Sequence, residues 1–475
     1  MKLDIVYLND VHGYLESHAE LFYDGADEFI ENAGGYARIS TLKNSMMQRN
    51  SKLLFFDGGD TFHGTLPLVE SKGQAIVPLL NKMGFSAMVG HWDFAYGPQQ
   101  LKHLLSQLNY PMLGINVYNE DGTLFLKPYS IIEIEDLKVA VIGICSDIID
   151  KTMPKKFSEG LTITNGAKEL PGYIKAVKAE GADIILLLSH NGFPQDMAML
   201  DTIAGIDVCL SAHTHNRLYE TVQVNNTLVI QCGCHGSFLG HLELNIQQKK
   251  IVSHDYQLIK VSETIAEDPE IKDIVTEIMM PYQNMKNTVR GKTATILHRY
   301  NTINSSADAL LLSAIKFAAQ TDIAFSNGWR YGAPVAAGAI TDWDLYNLIP
   351  MNPPVSTVEL TGLKIIEMLE ENLERTFSPQ PMMQMGGYIK RAIGIKVNMR
   401  IENPKGHRIQ EIYIGNNPLD KKKYYTCSFV TVQGVPKNFG RNRSELPVNA
   451  VTAMIDYLQT HPDFDGCNSA IFSLV

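Results

Sequence analysis

Five short segments carry the side chains on which chemistry would depend: Asn9-Asp10-Val11-His12-Gly13, Asp57-Gly58-Gly59-Asp60-Thr61, Gly90-His91-Trp92-Asp93-Phe94, Ser189-His190-Asn191-Gly192 and Ala212-His213-Thr214-His215. Asp10 and His12 are two residues apart, as are His213 and His215, so each pair can meet one cation from a single loop. Asp60 adds a second carboxylate, and His91 and His190 add single imidazoles. A mixed oxygen and nitrogen donor set of this kind suits Zn, Mn or Fe better than Mg or Ca. The seven donors Asp10, His12, Asp60, His91, His190, His213 and His215 are too many for one tetrahedral site. They fit two divalent metal ions, Mn or Zn, that share a carboxylate. Such a pair generates a hydroxide near neutral pH and clamps both oxygens of an in-line displacement.

Each segment follows an apolar, β-rich run that must position it. Leu53 to Phe56, Lys138 to Ile142, Ala182 to Leu188 and Ile206 to Leu210 are nearly continuous apolar stretches, the pattern of strands covered on both faces. Between the runs, Gln74 to Met83, Gly97 to Leu108 and Ala167 to Ala179 have helical length and periodicity. Alternation of this kind predicts an α/β layered domain with a central pair of sheets and helices outside, and a closing antiparallel hairpin over Leu228 to Ile259. A polar site at the carboxyl ends of several strands is where such sheets collect ligands.

Asp268-Pro269-Glu270-Ile271 reads as a helix start, with an acceptor side chain at the cap, proline at the first helical position and glutamate in the first turn. That helix, ended or kinked by Pro281, is the expected connector over residues 263–291. Beyond it, residues 292–475 form an expected second α+β domain, with helices near Ala307 to Ala319 and Gly362 to Thr376.

With 475 residues the chain is too long for one ordinary core. A net charge of −10 argues against tracking a phosphate backbone, so nucleic acid is not an expected partner. A small anionic substrate remains compatible with it, because a metal cluster supplies local positive charge. No apolar stretch approaches the length of a bilayer span. The opening Met1 to Leu8 runs straight into a strand without the features of a signal peptide, which gives a cytoplasmic expectation. Cys145, Cys209, Cys232, Cys234, Cys427 and Cys467 lie mostly in apolar segments and read as reduced thiols rather than a disulfide framework. The one-residue spacing of Cys232 and Cys234 is not that of the usual metal or redox pair.

In order, Asp10-x-His12, Gly59-Asp60, the Gly90 loop, His190 and His213-x-His215 resemble the calcineurin-like metallophosphoesterases, with Ala212 where that family has glycine. Gly34-Gly35-Tyr36-Ala37-Arg38, Gly59-Asp60-Thr61-Phe62 and the presence of a second domain extend the resemblance to the 5′-nucleotidase branch. The resemblance implies a four-layer αββα metallophosphoesterase domain over residues 1–262 and a smaller substrate-binding domain over 292–475. It also implies that Asp10, His12, Asp60 and His215 hold one metal, and that Asp60 as bridge, His190 and His213 hold the other.

The third segment departs from the family's Gly-Asn-His-Glu-Phe-Asp pattern. His91 stands for a ligating asparagine and can itself ligate, whereas Trp92 stands for the histidine that assists the leaving group and Ala95 for the aspartate that orients it. Such an acid contributes about 10²–10⁴ in rate. His63, three residues after Asp60, is the nearest replacement acid in sequence. This Gly-His-Trp variant is similar to the thiosulfohydrolases of bacterial sulfur oxidation, which release sulfate from a cysteine-linked thiosulfonate on a carrier protein. Asp60, His91, Trp92 and His63 are thus the residues expected around the chemical step.

In the second domain, Asn327 and Arg330 match the nucleotidase substrate loop, and Tyr388 matches the first of two base-stacking aromatics. The segment for the second aromatic reads Val432-Gln433-Gly434-Val435-Pro436-Lys437-Asn438-Phe439, leaving Phe439 or Trp329 for that place. The expected function is metal-dependent cleavage of phosphate from a nucleotide or related small phosphoester, by attack of a hydroxide shared between the metals. Release of sulfate from a sulfonated thiol is the second reading, and a metal-binding sensor with little turnover is the third.

Overall fold

The computed structural model describes residues 1–466 and 471–475. They fall into two compact units, Met1–His18 with Asn32–Met280, and Ala19–Glu31 with Pro281–Val475.

The first unit is built on two sheets. One has the strand order Lys250–Lys260, Phe238–Gln247, Lys2–Leu8, Leu53–Asp57, Ala87–Met88; the other runs Val222–Val224, Thr227–Ile230, Val208–Ser211, Ile184–Ser189, Leu137–Ile144, Tyr129–Ile134. Leu3, Ile5, Tyr7, Leu54 and Phe56 from the first sheet share one core with Val139, Val141, Leu186, Leu188, Val208 and Leu210 from the second. The alternate residues of these strands, such as Val6, Leu8, Phe55, Ile142, Leu187 and Cys209, are buried as well. Helices including Tyr36–Arg49, Val77–Met83, Leu170–Ala179 and Phe193–Thr202 form the outer layers. The layered α/β architecture expected from the runs, a central pair of sheets with helices outside, is therefore present, because strands covered on both faces leave no polar face for solvent.

Register decides where the functional loops emerge. Leu8 pairs in parallel with Asp57, and Asp57 with Met88; in the other sheet Ser189 pairs with Ile144 and with Ser211. The carboxyl ends of these strands are thus aligned, and the five polar segments leave from the same end of the sheets. The closing region differs from the expected single hairpin. Thr227–Ile230 lies parallel to Val208–Ser211 in the second sheet, while Phe238–Gln247 and Lys250–Lys260 form the antiparallel hairpin of the first. The difference is physical: Thr227–Ile230 is buried throughout, as a central strand requires, whereas Phe238–Gln247 alternates buried and half-buried.

Asp268 caps the helix Pro269–Met279 by accepting the amides of Glu270 and Ile271, and it also accepts the Ser40 hydroxyl at 2.7 Å. Ile271, Val275 and Met279 bury one helical stripe, and the helix groups with the first unit rather than standing as a separate connector.

The second unit has a sheet ordered Arg391–Ile393, Ile323–Ser326, Tyr424–Val430, Pro354–Thr361, Arg441–Asn449. Its core joins Ile323, Phe325, Val358 and Leu360 to the helix residues Ile365, Met368, Leu369 and Leu373. Ser305 and Thr361 cap the helices Ser306–Ala319 and Gly362–Phe377 by accepting the amides of Asp308 and Lys364. Residues 19–31, which sequence order places with the first domain, are counted here: Tyr300 donates to Glu20 at 2.6 Å, and His298 faces Glu28 at 3.5 Å. Cys145, Cys209, Cys232, Cys234 and Cys427 are buried free thiols, and Cys467 lies outside the described residues. Among the described residues no helix is long and apolar enough to cross a membrane.

Candidate metal centre

All seven expected metal ligands meet at the aligned strand ends, in two groups: Asp60, His91, His190 and His213, and Asp10, His12 and His215. Asp60 joins them. Its Oδ2 lies 3.4 Å from His12 Nε2, 3.5 Å from His91 Nδ1 and 3.4 Å from His190 Nε2. Asp10 Oδ1 lies 3.4 Å from His215 Nε2 and 3.6 Å from His190 Nε2.

Backbone geometry makes this convergence possible. Asp10, His12, Asp60, His213 and His215 all adopt positive φ, between 51° and 73°. That conformation is unusual outside glycine, and functional sites are where such strain collects. Gly59, beside them at φ +88°, has no room for a side chain: a Cβ would lie 2.7 Å from the Val89 carbonyl and 3.0 Å from His190 Nδ1.

The electrostatics are those of a cation site. Burial opposes ionisation of Asp60, but His190, His91 and His12 outweigh it and hold the carboxyl well below the usual carboxylate range. Asp10 is likewise lowered, against the cost of burial, by His215 and His190. His190 Nδ1 sits 2.5 Å from the Gly58 carbonyl, which places its proton there and turns Nε2 toward the carboxylates. His190 Nε2 and both ring nitrogens of His91 are buried without a hydrogen-bond partner. Burying such groups is costly unless something ligates them, and divalent cations at these two groups would do so.

A layer of buried carboxylates and amides stands behind the ligands. Asp93 accepts the amides of Asp60 and Thr61 at 2.9 Å, Phe62 at 3.0 Å and His91 at 3.1 Å. Asp57 accepts the Gly59 amide and the Thr61 hydroxyl at 2.9 and 2.8 Å. Burial first and the Asp93 charge second push Asp57 up to about 7, while burial and the Asp60 charge raise Asp93. Asp196 accepts the hydroxyls of Ser189 and Ser211, both at 2.6 Å, and so ties together the strands that carry His190 and His213. Asn9 donates to Asp10 at 2.7 Å and accepts the Cys232 amide at 2.9 Å. Sequence reasoning assigned no role to Asp93, Asp57, Asp196 or Asn9, although Asp57, Asp93 and Asn9 stand inside the ligand-bearing segments. Asp196 lies on the helix Phe193–Thr202, and nothing in its spacing sets it apart.

Trp92 donates its amide to Asp60 Oδ1 at 2.6 Å, so its backbone is fixed on the shared carboxylate. Its ring stacks on His63 at 4.9 Å between centroids, and His63 is fully buried. Burial, only partly offset by Asp60, pushes the His63 imidazole down to about 4.

In the second unit Arg330 and Tyr388 are neighbours: the guanidinium lies 5.3 Å from the ring centre and donates to the Gly387 carbonyl at 3.0 Å. Asn327 is half-buried at the end of the strand Ile323–Ser326. Trp329 and Phe439 are both 5% exposed, and Phe439 belongs to the core, so neither offers an open stacking face.

The chain is similar to known proteins in sequence and in fold. Residues 279–431 match the family model for the 5′-nucleotidase C-terminal domain. The chain is 25% identical over 470 residues to the trifunctional nucleotide phosphoesterase YfkN of Bacillus subtilis, covering 88% of this chain and 30% of that protein. In fold it is similar to a sulfate thiohydrolase SoxB of Thermus thermophilus solved with glycerol, with a TM-score of 0.92, 22% identity and coverage of 100% and 96%. It is also similar to a 5′-nucleotidase precursor from Thermus thermophilus, with a TM-score of 0.88, 20% identity and coverage of 100% and 99%. The fold and the cluster together define a metal-dependent phosphoester hydrolase. Residues 279–431 carry the 5′-nucleotidase C-terminal domain, and over most of its length the chain is similar to nucleotide phosphoesterases and 5′-nucleotidases.

Proposed function

We propose that this protein removes phosphate from a nucleotide or a related small phosphoester at a centre of two divalent ions, Mn or Zn. The observation that carries the reading is Asp60, whose Oδ2 stands within 3.5 Å of ring nitrogens from His12, His91 and His190 and so serves both ligand groups. Asp10, His12, Asp60 and His215 would hold one ion, and Asp60, His91, His190 and His213 the other. When bound, the ions supply electrophilic activation of the phosphoryl group and of water. The chain's own contribution is positioning: Asp93 fixes the Asp60 and His91 loops, His190 is held by Gly58, and Trp92 closes one side beside His91. Arg330 and Tyr388, with Asn327, contribute recognition of the remainder of the substrate, a guanidinium and an aromatic face being suited to an anion and a base.

Trp92 supports a second reading, release of sulfate from a sulfonated thiol, because an indole N–H hydrogen-bonds but does not deliver a proton. The two are separated by loading the protein with Mn or Zn and following phosphate and sulfate release from nucleoside monophosphates, cyclic nucleotides, an aryl phosphate and a cysteine S-sulfonate. Phosphate release from at least one of the phosphoesters is the expected result; sulfate release alone would replace the first reading with the second.

A further inference from the structure

The side of the cluster next to His91 is walled by aromatic surface. The Trp92 backbone is pinned to Asp60 Oδ1 at 2.6 Å, which anchors the root of the indole side chain beside the shared carboxylate. Its ring centre lies 5.9 Å from that of His91, is stacked on His63 at 4.9 Å and 24°, and meets the edge of Phe157 at 6.2 Å and 69°. Trp92 is partly exposed, whereas His63 is 0% and Phe157 3% exposed. The surface offered at this point is therefore indole, with the imidazole of His63 behind it.

The nearby hydroxyls are turned inward. Thr61 donates to the Asp57 carboxylate at 2.8 Å, and Tyr96 donates to the Leu68 carbonyl at 2.9 Å and the Phe62 carbonyl at 3.2 Å. Asp93 points its oxygens at four backbone amides. Ala95, 3% exposed, contributes only a methyl group.

Resting on the hydrolase reading above, we infer that this centre selects substrates whose leaving group departs as a stable anion: a phosphoanhydride, an acidic phenolate or a thiolate, in preference to the alkoxide of a nucleoside monophosphate. In the step itself the bond from the central phosphorus, or from the sulfonate sulfur of a sulfonated thiol, to the leaving atom breaks, and its electron pair stays on that atom. The oxygen of water forms the new bond to the same centre. The protons of that water go to the product phosphate or sulfate and to solvent, so the departing group need not be protonated by the chain. A leaving group of low basicity tolerates this, and an alkoxide does not.

The test uses the full-length, Mn-loaded protein and a series of aryl phosphates graded in phenol acidity, with a nucleoside diphosphate, the matching monophosphate and a cysteine S-sulfonate as further arms. The expected result is a steep fall of kcat/KM as the leaving group becomes more basic. The terminal phosphate of the diphosphate should be released at least about 100-fold more efficiently than the monophosphate is hydrolysed, the lower end of what a general acid contributes. Turnover of the S-sulfonate but not of the diphosphate would assign the thiolate source. A shallow dependence on phenol acidity, or equal efficiency on mono- and diphosphate, would overturn the inference while leaving the hydrolase reading intact. Absence of release from even the most acidic aryl phosphate, with metal bound, would overturn both. Trp92→His combined with Ala95→Asp should flatten the dependence chiefly by raising the rates of the least acidic phenols, a change that loss of folding cannot imitate.

Discussion

Asp93 Oδ2 accepts the backbone N–H of Asp60 at 2.9 Å, so one buried carboxylate sets the conformation of another. The same Oδ2 takes the amide of His91 at 3.1 Å, which couples two ligand-bearing loops through a single side chain. Asp60 sits at φ +58°, a conformation its neighbours must enforce. Replacing Asp93 by asparagine keeps the shape but presents an NH₂ to amides that need an acceptor. We expect Asp93→Asn to weaken metal binding by about 10–100-fold, the usual cost of losing a group that orients ligands. Calorimetric titration with Mn measures it, and restoration by Asp93→Glu would mark the acceptor as the cause. Unchanged affinity in Asp93→Asn would mean that Asp60 and His91 hold their geometry without it.

That relationship also marks how far the sequence could be read. The seven ligands were legible because Asp-x-His and His-x-His spacing, set after apolar runs, admits little besides a metal site. The strand runs were legible for the same reason: burial on both faces writes itself as unbroken Val, Ile and Leu. Asp93 carries no assignment because its partners are backbone amides, which have no signature in the sequence, and Asp57 carries none because it serves one such amide and the nearby Thr61 hydroxyl. Asp196 was hidden further, because it serves Ser189 and Ser211 from a helix. The assignment of residues 19–31 depends on Tyr300 and His298, about 270 to 280 positions away, which no local pattern records. In the second unit, an aromatic at Phe439 says nothing about whether its ring faces a core or a ligand; the structure puts it in the core.

Arg330 and Tyr388 form a cation–aromatic pair, with Arg330 also donating to Gly387. If they recognise the part of the substrate away from the reacting phosphate, Arg330→Ala should raise KM by about 10–100-fold with kcat little changed, the value of one charge-assisted hydrogen bond. Arg330→Lys should recover only part of it, because an ammonium lacks the planar fork. Steady-state kinetics on a nucleotide and on a small aryl phosphate make the comparison. A KM increase of equal size on both substrates would show that Arg330 does not act on the nucleoside portion.

Lys390 is buried, with Nζ donating to the carbonyls of Gln433 and Gly434 at 2.7 and 2.8 Å. Burial first and Arg375 second, with Glu371 opposing, push its amine down to about 7 from an ordinary 10.5. Between those two values the unfolded chain holds a proton that the folded protein has lost, so stability rises with pH across that window. Below the lower value both states are protonated, and the full cost of burying the charge is present. Relative to Lys390→Met, the protein should therefore gain stability from pH 7 to pH 10.5, as read by urea unfolding at a series of pH values. Parallel curves for the two proteins would show that Lys390 keeps its charge when folded.

Asp308 lies between two arginines in the interior of the second unit. Its Oδ1 is 3.0 Å from Arg299 Nη2 and its Oδ2 is 3.4 Å from Arg391 Nε, and none of the three residues is more than 2% exposed. The arginines have other acceptors, Arg299 at the Tyr331 carbonyl and Arg391 at the carbonyls of Asn301 and Thr302. Carbonyls satisfy N–H groups but do not cancel charge, so removing the carboxylate leaves two guanidinium charges in a low-dielectric interior. Asp308→Ala should cost about 3–5 kcal/mol, as expected when one partner of a buried ion pair is deleted. Hydrogen exchange along the helix Ser306–Ala319, to which Asp308 belongs, localises the effect to the second unit. A loss below about 1 kcal/mol would place this carboxylate among ordinary surface pairs, whose contribution is that small.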